Sequence, residues 1–180
     1  MEDTIKVIVA SEKHLKYVDI ILDTIEKAAK VRGTGIAKRS PEYVKQKMLE
    51  GKAIIALDGD KFAGFAYIES WSNKKFVANS GLIVVENYRG HGLAKRIKRK
   101  VFDLSRSMFP DAKIFGLTTG LAVMKINSEL GYRPVTFSEL TDDEAFWNLQ
   151  KTDFNYRYCY GGGICWCVLF YGGHPFPYAF

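Results

Sequence analysis

The chain has 180 residues, 47% of them hydrophobic, and a formal net charge of +6. That size and composition suit one globular domain with a substantial core, and the longest aliphatic run, 53–57, is far short of the roughly 20 residues a membrane span needs. Moderate basicity fits cofactor phosphates as readily as nucleic acid and selects neither. No signal peptide is legible, and Cys159, Cys165 and Cys167 all lie near the C-terminus, so disulfides do not hold the preceding core together. A reducing cytoplasm is the expected compartment.

Residues 4–10 carry enough β-branched side chains for a first strand, and Ser11 offers an N-cap to a helix whose Leu15, Val18, Ile21, Leu22 and Ile25 share one face. Residues 31–40 interrupt the pattern with two glycines and several cations, before Pro41 opens a second helix through Leu49. Strands follow at 52–57 and 62–70 around the turn Asp58-Gly59-Asp60, then at 76–85. Residues 92–108 form an amphipathic helix ended by Pro110; 113–118 is a strand, and 121–130 a helix with Gly131 as its cap. Residues 133–137 resume a strand, and the alternation over 164–171 predicts a last one. This order implies an α/β fold, a mixed sandwich with one central sheet. The expectation is a single domain over 1–180, with its core at about 4–138 and a C-terminal extension at 139–180.

The loop at 87–93 joins a strand to a helix. Glycines there bare backbone N–H groups beside the positive end of the helix dipole, an arrangement suited to a pyrophosphate. Gly90 and Gly92 allow close backbone approach, and Arg89, Lys95 and Arg96 can add positive charge. Taken alone, the glycine spacing is weak evidence, since a plain strand-to-helix turn uses it too.

The longer run Leu82-Ile83-Val84-Val85-Glu86-Asn87-Tyr88-Arg89-Gly90-His91-Gly92-Leu93-Ala94 resembles the acetyl-CoA motif of the GNAT superfamily of N-acetyltransferases, with its R-x-x-G-x-[GA] core. Element order is similar from about Ile5 to Phe137, including the helix that ends in a Gly-aromatic pair, Gly131-Tyr132. The resemblance implies a mostly antiparallel central sheet flanked by helices, with acetyl-CoA as the cofactor. It also implies that Arg89, Gly90, His91, Gly92, Leu93 and Ala94 hold the pyrophosphate, while Ile83, Val84 and Val85 face the pantetheine arm. A main-chain N–H at Val84 would then polarise the thioester. The segments GTGIAKRSPEYVKQKMLEGKAIIAL, ESWSNKKFVANSGLIV and IFGLTTGLAVMKINSELGYRPVTFSELTDDEAFW resemble a bacterial GNAT group associated with arginine biosynthesis, which implies acetylation of an amino acid such as glutamate. Many GNAT enzymes place a proton-donating tyrosine four residues before the Gly-aromatic pair. This chain has Asn127, which can hydrogen-bond the cofactor but cannot readily supply a proton. Water or Tyr132 is the substitute acid.

Acyl transfer needs a deprotonated amine, and Glu69, near the end of the second hairpin strand, is the candidate base; its alternative reading is an exposed strand-end carboxylate. Ser80, with Asn79, is a candidate acceptor contact on the motif strand. Arg32, Lys38 and Arg39 in the basic loop suit substrate carboxylates, against a plain solvated loop. Thr118 and Thr119 either complete that pocket or cap the turn around Gly120. The leading expectation is direct acetyl transfer to a small-molecule primary amine. The alternatives are a peptide, lysine, polyamine or antibiotic amine, or a non-catalytic acyl-CoA-binding module. No metal site, nucleic-acid surface or membrane contact is expected, and the aromatics of the tail at 172–180 are read as a surface for a homodimer partner.

Overall fold

The computed structural model describes residues 4–32, 39–71, 74–118, 120–135 and 166–170. Among the described residues, seven strands are hydrogen-bonded in the order β1-β2-β3-β4-β5-β7-β6. They are β1 (Ile5–Val9), β2 (Ala53–Asp58), β3 (Lys61–Trp71), β4 (Phe76–Val84), β5 (Lys113–Thr118), β6 (Arg133–Val135) and β7 (Trp166–Phe170). The helices are α1 (Val18–Arg32), α2 (Pro41–Leu49), α3 (Leu93–Met108) and α4 (Leu121–Glu129). A mixed, mostly antiparallel sheet with helices, as expected from the sequence, is what forms: β1–β2, β2–β3, β5–β7 and β6–β7 are antiparallel and β4–β5 is parallel.

The chain clusters into two compact units, Met1–Glu69 with Asn79–Leu104, and Ser70–Ala78 with Ser105–Phe180. In the first, β1 pairs β2 from Ile5↔Asp58 to Val9↔Ile54, and the β2–β3 hairpin turns at Gly59. Its register shifts between Ala56↔Gly64 and Leu57↔Phe62. One face of these strands, carrying Ile55, Leu57, Phe65, Tyr67 and Ile83, packs against Tyr17, Val18, Ile21 and Ile25 before and within α1 and Val44 and Met48 of α2. Burial of that apolar set, at about 25 cal/mol per Å² removed from water, is the main force holding α1 and α2 in place. Ser40 caps α2, its hydroxyl accepting from the Tyr43 N–H at 3.2 Å, and Pro41 fits the first turn because its missing N–H would have no helical partner.

One sequence expectation is adjusted. The segment after Ser11 is a 3-10 helix over Glu12–Tyr17 before α1 begins, and α1 runs on to Arg32, past the expected break at 31. Strand β7 lies between β5 and β6, pairing Thr118↔Trp166 on one side and Val135↔Cys167 on the other.

In the second unit, Phe76–Ala78 of β4 pair with Lys113–Phe115 of β5. The end of α3 is tied to the turn that leads into β5 by Arg106, whose Nη1 donates to the Pro110 and Ala112 carbonyls at 3.0 and 2.9 Å.

Candidate active site

Strand β4 carries the motif, and its backbone is bent by Gly81, which has φ +66 and lies flat on the Tyr67 ring: a Cβ there would fall 2.2 Å from Tyr67 Cε1. Beyond this bend the Val85 N–H donates to the Ala63 carbonyl of β3 at 3.0 Å. Successive residues of a strand aim their N–H and C=O groups at opposite edges. Val84 therefore directs its N–H and carbonyl away from Ala63, and the carbonyl accepts from Arg89 Nε at 3.0 Å. Of the three motif-strand positions, Ile83 and Val84 are buried and Val85 is half-buried.

After a 3-10 turn, Glu86–Tyr88, the loop passes through Gly90 and Gly92 at φ +83 and +78, a region in which only glycine is comfortable. A Cβ at either would meet nothing within 4 Å, so the two glycines face open space beside the N-terminus of the 16-residue α3. That is the fit an anionic group requires: backbone N–H donors, a helix dipole and room. His91 is exposed, Leu93 is buried in the core and Ala94 half-buried, so these three could serve a ligand chiefly through their main chain. The loop is anchored by Tyr88, whose hydroxyl donates to Asp58 Oδ2 at 3.1 Å, while Thr4 Oγ1 donates to the other oxygen of that carboxylate at 2.8 Å. Arg96, expected near the anion, donates through Nη2 to the Ile5 carbonyl at 2.6 Å.

A second cluster in the same unit involves α2 and β3. Tyr43 and Lys47 are one helical turn apart, and Tyr67 and Glu69 share a strand face. Arg39 Nε donates to the Tyr67 hydroxyl at 2.7 Å, and its guanidinium lies 5.5 Å from the Tyr43 ring centre. Lys47 Nζ is 2.7 Å from Glu69 Oε2 and 5.1 Å from the same Tyr43 ring. Burial holds the Tyr67 phenol above its ordinary value, with Arg39 pulling the other way. Glu69 is thus no exposed strand-end carboxylate: its side chain is 13% exposed and that of Lys47 11%. Lys47, Tyr43 and Tyr67 were missed as site residues in the sequence. Of the basic loop, Arg39 is placed at the cluster, whereas Lys38 and the side chain of Arg32 lie outside what is described.

Asn79, buried on β4, offers its carbonyl to Lys98 Nζ at 3.3 Å, and Ser80 beside it is half-buried. Lys98 is a fully buried lysine on α3, pushed down to about 7 by desolvation. In the second unit, Asn127 is 1% exposed on α4, and among the described residues neither its amide oxygen nor its amide nitrogen has a hydrogen-bond partner. Such an amide costs about 1–3 kcal/mol per group unless something bound satisfies it. Tyr132, the substitute acid, is buried, and its hydroxyl is raised well above the ordinary phenol value by desolvation, with Arg106 opposing. Thr118 fills its capping role, Oγ1 accepting from the Gly120 N–H at 3.1 Å; Thr119 lies outside the described residues, as do Cys159, Cys165 and the tail. Among the described residues no cluster of three His, Cys, Asp or Glu could hold a metal, and no helix is long and apolar enough to cross a membrane.

The family model for the acetyltransferase (GNAT) family matches residues 22–122, more than half of the chain. The chain belongs to the GNAT family. No curated protein matches the sequence. This GNAT chain is similar in fold to N-acetylglutamate synthase of Neisseria gonorrhoeae, solved with coenzyme A and N-acetyl-glutamate, at TM-score 0.67 and 14% identity over 97% of this chain. It spans only 36% of that longer chain. It is also similar to a GNAT acetyltransferase of Staphylococcus aureus (TM-score 0.63, 16% identity, 79% of this chain and 91% of that one). A third similar structure is the acetyltransferase yncA of Salmonella typhimurium with acetyl-CoA (TM-score 0.60, 15% identity, 74% and 82%).

Proposed function

We propose that this GNAT chain transfers the acetyl group of acetyl-CoA directly to the primary amine of a small acceptor bearing a carboxylate, an amino acid such as glutamate. The observation that carries the donor is the Gly90–Gly92 loop, open at the N-terminus of α3, in a chain of this family. Acetyl-CoA supplies the activated acyl group. The main chain of 89–94 would hold its pyrophosphate and Ile83, Val84 and Val85 its arm; Asn127 is carried as a cofactor contact on the family resemblance. The Val84 N–H, on the strand edge away from β3, would donate to the thioester oxygen as negative charge builds there.

The acceptor assignment is supported by Arg39, whose planar guanidinium suits a carboxylate, and by Glu69, which takes the proton of the acceptor's ammonium. Ser80, Thr118, Thr119, Arg32 and Lys38 complete the proposed acceptor contacts. The amine nitrogen then bonds the acyl carbon, the carbon–sulfur bond breaks as coenzyme A leaves as a thiolate, and the second proton shed by the nitrogen passes through water to that thiolate. A thiolate is a fair leaving group near neutral pH, so water can protonate it and the loss of the usual tyrosine at Asn127 is tolerable. The gonococcal synthase carries N-acetyl-glutamate in its structure, in line with this reading; a role in arginine biosynthesis is part of the proposal and rests on the sequence resemblance.

Labelled acetyl-CoA incubated with a panel of amino acids tests it: labelled N-acetyl amino acid is expected, and protein that binds coenzyme A yet labels none overturns it. Asn127 in place of the usual acid also favours a second reading, an acyl-CoA-binding module, for which binding without turnover on any amine is the signature.

A further inference from the structure

Gly64 is buried in the middle of β3, opposite Ala56 at the point where the β2–β3 register shifts. A glycine inside a strand weakens it and commonly marks a place where another part of the chain comes close. Here a Cβ would stand 2.9 Å from the Ile83 carbonyl oxygen of β4, 2.6 Å from Ile97 Cδ1 of α3 and 3.6 Å from Val84 Cγ2. The two short contacts differ in kind. Ile97 Cδ1 is the free end of a side chain and can swing aside. The Ile83 oxygen is backbone, and β3 has no room to retreat from it: β2 pairs its far edge, and Ala63 and Phe65 on either side of Gly64 are fully buried.

The Ile83 carbonyl and the Val84 N–H belong to one peptide unit. That unit is planar and trans, so its C=O and N–H point in opposite directions and turn together. With the oxygen lying against Gly64, the N–H is directed away from it. Any side chain at 64 that displaces the oxygen therefore re-aims the N–H. We infer that Gly64 is a positioning residue for acetyl transfer: by lacking a side chain it lets the Ile83–Val84 peptide lie close against β3 and so fixes the direction in which the Val84 N–H donates. This rests on the proposed use of that N–H toward the thioester oxygen and adds the residue that aims it.

Acetyl-CoA labelled with carbon-13 at the acetyl carbonyl is the probe, because a hydrogen bond to the thioester oxygen lowers its infrared stretch whether or not an acceptor is present. In Gly64→Ala the band of the bound label should move to higher wavenumber, toward that of a thioester in an apolar solvent. Acetyl transfer at saturating acetyl-CoA should slow by on the order of 10-fold, less than the roughly 100-fold or more that follows outright loss of an oxyanion donor. Coenzyme A affinity, which also shows that the variant is folded, should be retained. Gly64→Ala/Ile97→Val removes Cδ1 and relieves the helix while leaving the contact with the carbonyl. It should recover thermal stability without recovering the band or the rate, and if Gly64→Ala alone does not fold, it carries the infrared comparison. A Gly64→Ala or double-variant band at the wild-type position, or band and rate returning together with stability, overturns the inference and leaves the proposed acetyl transfer standing. A wild type whose bound band already lies at the apolar-solvent position has no donor at that oxygen, which overturns the use of Val84 as well.

Discussion

Replacing Gly81 with alanine tests how β4 is shaped for its ligand. The new Cβ would stand 2.2 and 2.6 Å from two ring carbons of Tyr67 on a backbone held at φ +66. The left-handed conformation costs an L-residue about 1–2 kcal/mol. Overfilling a packed site costs about 1–3 kcal/mol more. Tyr67 has little freedom to yield: it is 2% exposed, and its hydroxyl is held by Arg39 at 2.7 Å. The expected loss is therefore about 2–5 kcal/mol, or roughly 4–20 °C in Tm for a chain of this size. Scanning calorimetry reads it directly. Any shift of the ring that does occur carries Arg39 with it, so on the proposed acceptor site the acceptor KM should rise several-fold, while coenzyme A, proposed to bind at the Gly90–Gly92 loop, should keep its affinity. A variant within about 2 °C of wild type and with an unaltered acceptor KM would refute the reasoning, because the strand would then accept a side chain where the geometry allows none.

Burial lowers Lys98 to about 7, whereas an unfolded lysine titrates near 10.4, so between those values the unfolded chain holds the extra proton and stability climbs with pH. Lys98→Met should flatten that climb, gaining about 2–4 kcal/mol at pH 6 and nothing near pH 11 in urea titrations; parallel slopes for the two proteins would contradict it. Asn127→Leu removes two buried, unpartnered polar atoms, so the ligand-free protein should be as stable as wild type or more so by about 1 kcal/mol, while coenzyme A binding by calorimetry weakens at least several-fold. Arg106→Met deletes the two bonds to Pro110 and Ala112 and should cost about 2–4 kcal/mol in urea unfolding; a loss below about 0.5 kcal/mol would show those carbonyls are satisfied without it.

Features that rest on local physics were legible in the sequence. The short apolar run at 53–58 beside the turn residues Asp58-Gly59-Asp60 marks a strand, as does the apolar and β-branched stretch at 76–84, and the Gly-rich turn marks the start of α3 to within one residue. The 3-10 turn at Glu12–Tyr17 was not legible, since over six residues a period of 3.0 and one of 3.6 place apolar side chains almost alike. Nor were the contacts Arg39–Tyr67 and Lys47–Glu69, which join residues 28 and 22 apart. Helical and strand periods group Tyr43 with Lys47 and Tyr67 with Glu69, but which cation meets which acceptor depends on how α2 lies across the strands.

The cations around the loop show a related effect. Spacing alone assigns Arg89 and Arg96 to a phosphate because both flank the glycines. In the fold, each guanidinium donates to a main-chain carbonyl, Val84 and Ile5, a demand on arginine donors that no motif records. With Val85 donating to Ala63, the alternation of a strand leaves Val84 aimed at the other edge, in line with the use of its N–H toward a thioester that the motif resemblance implies and that is proposed above.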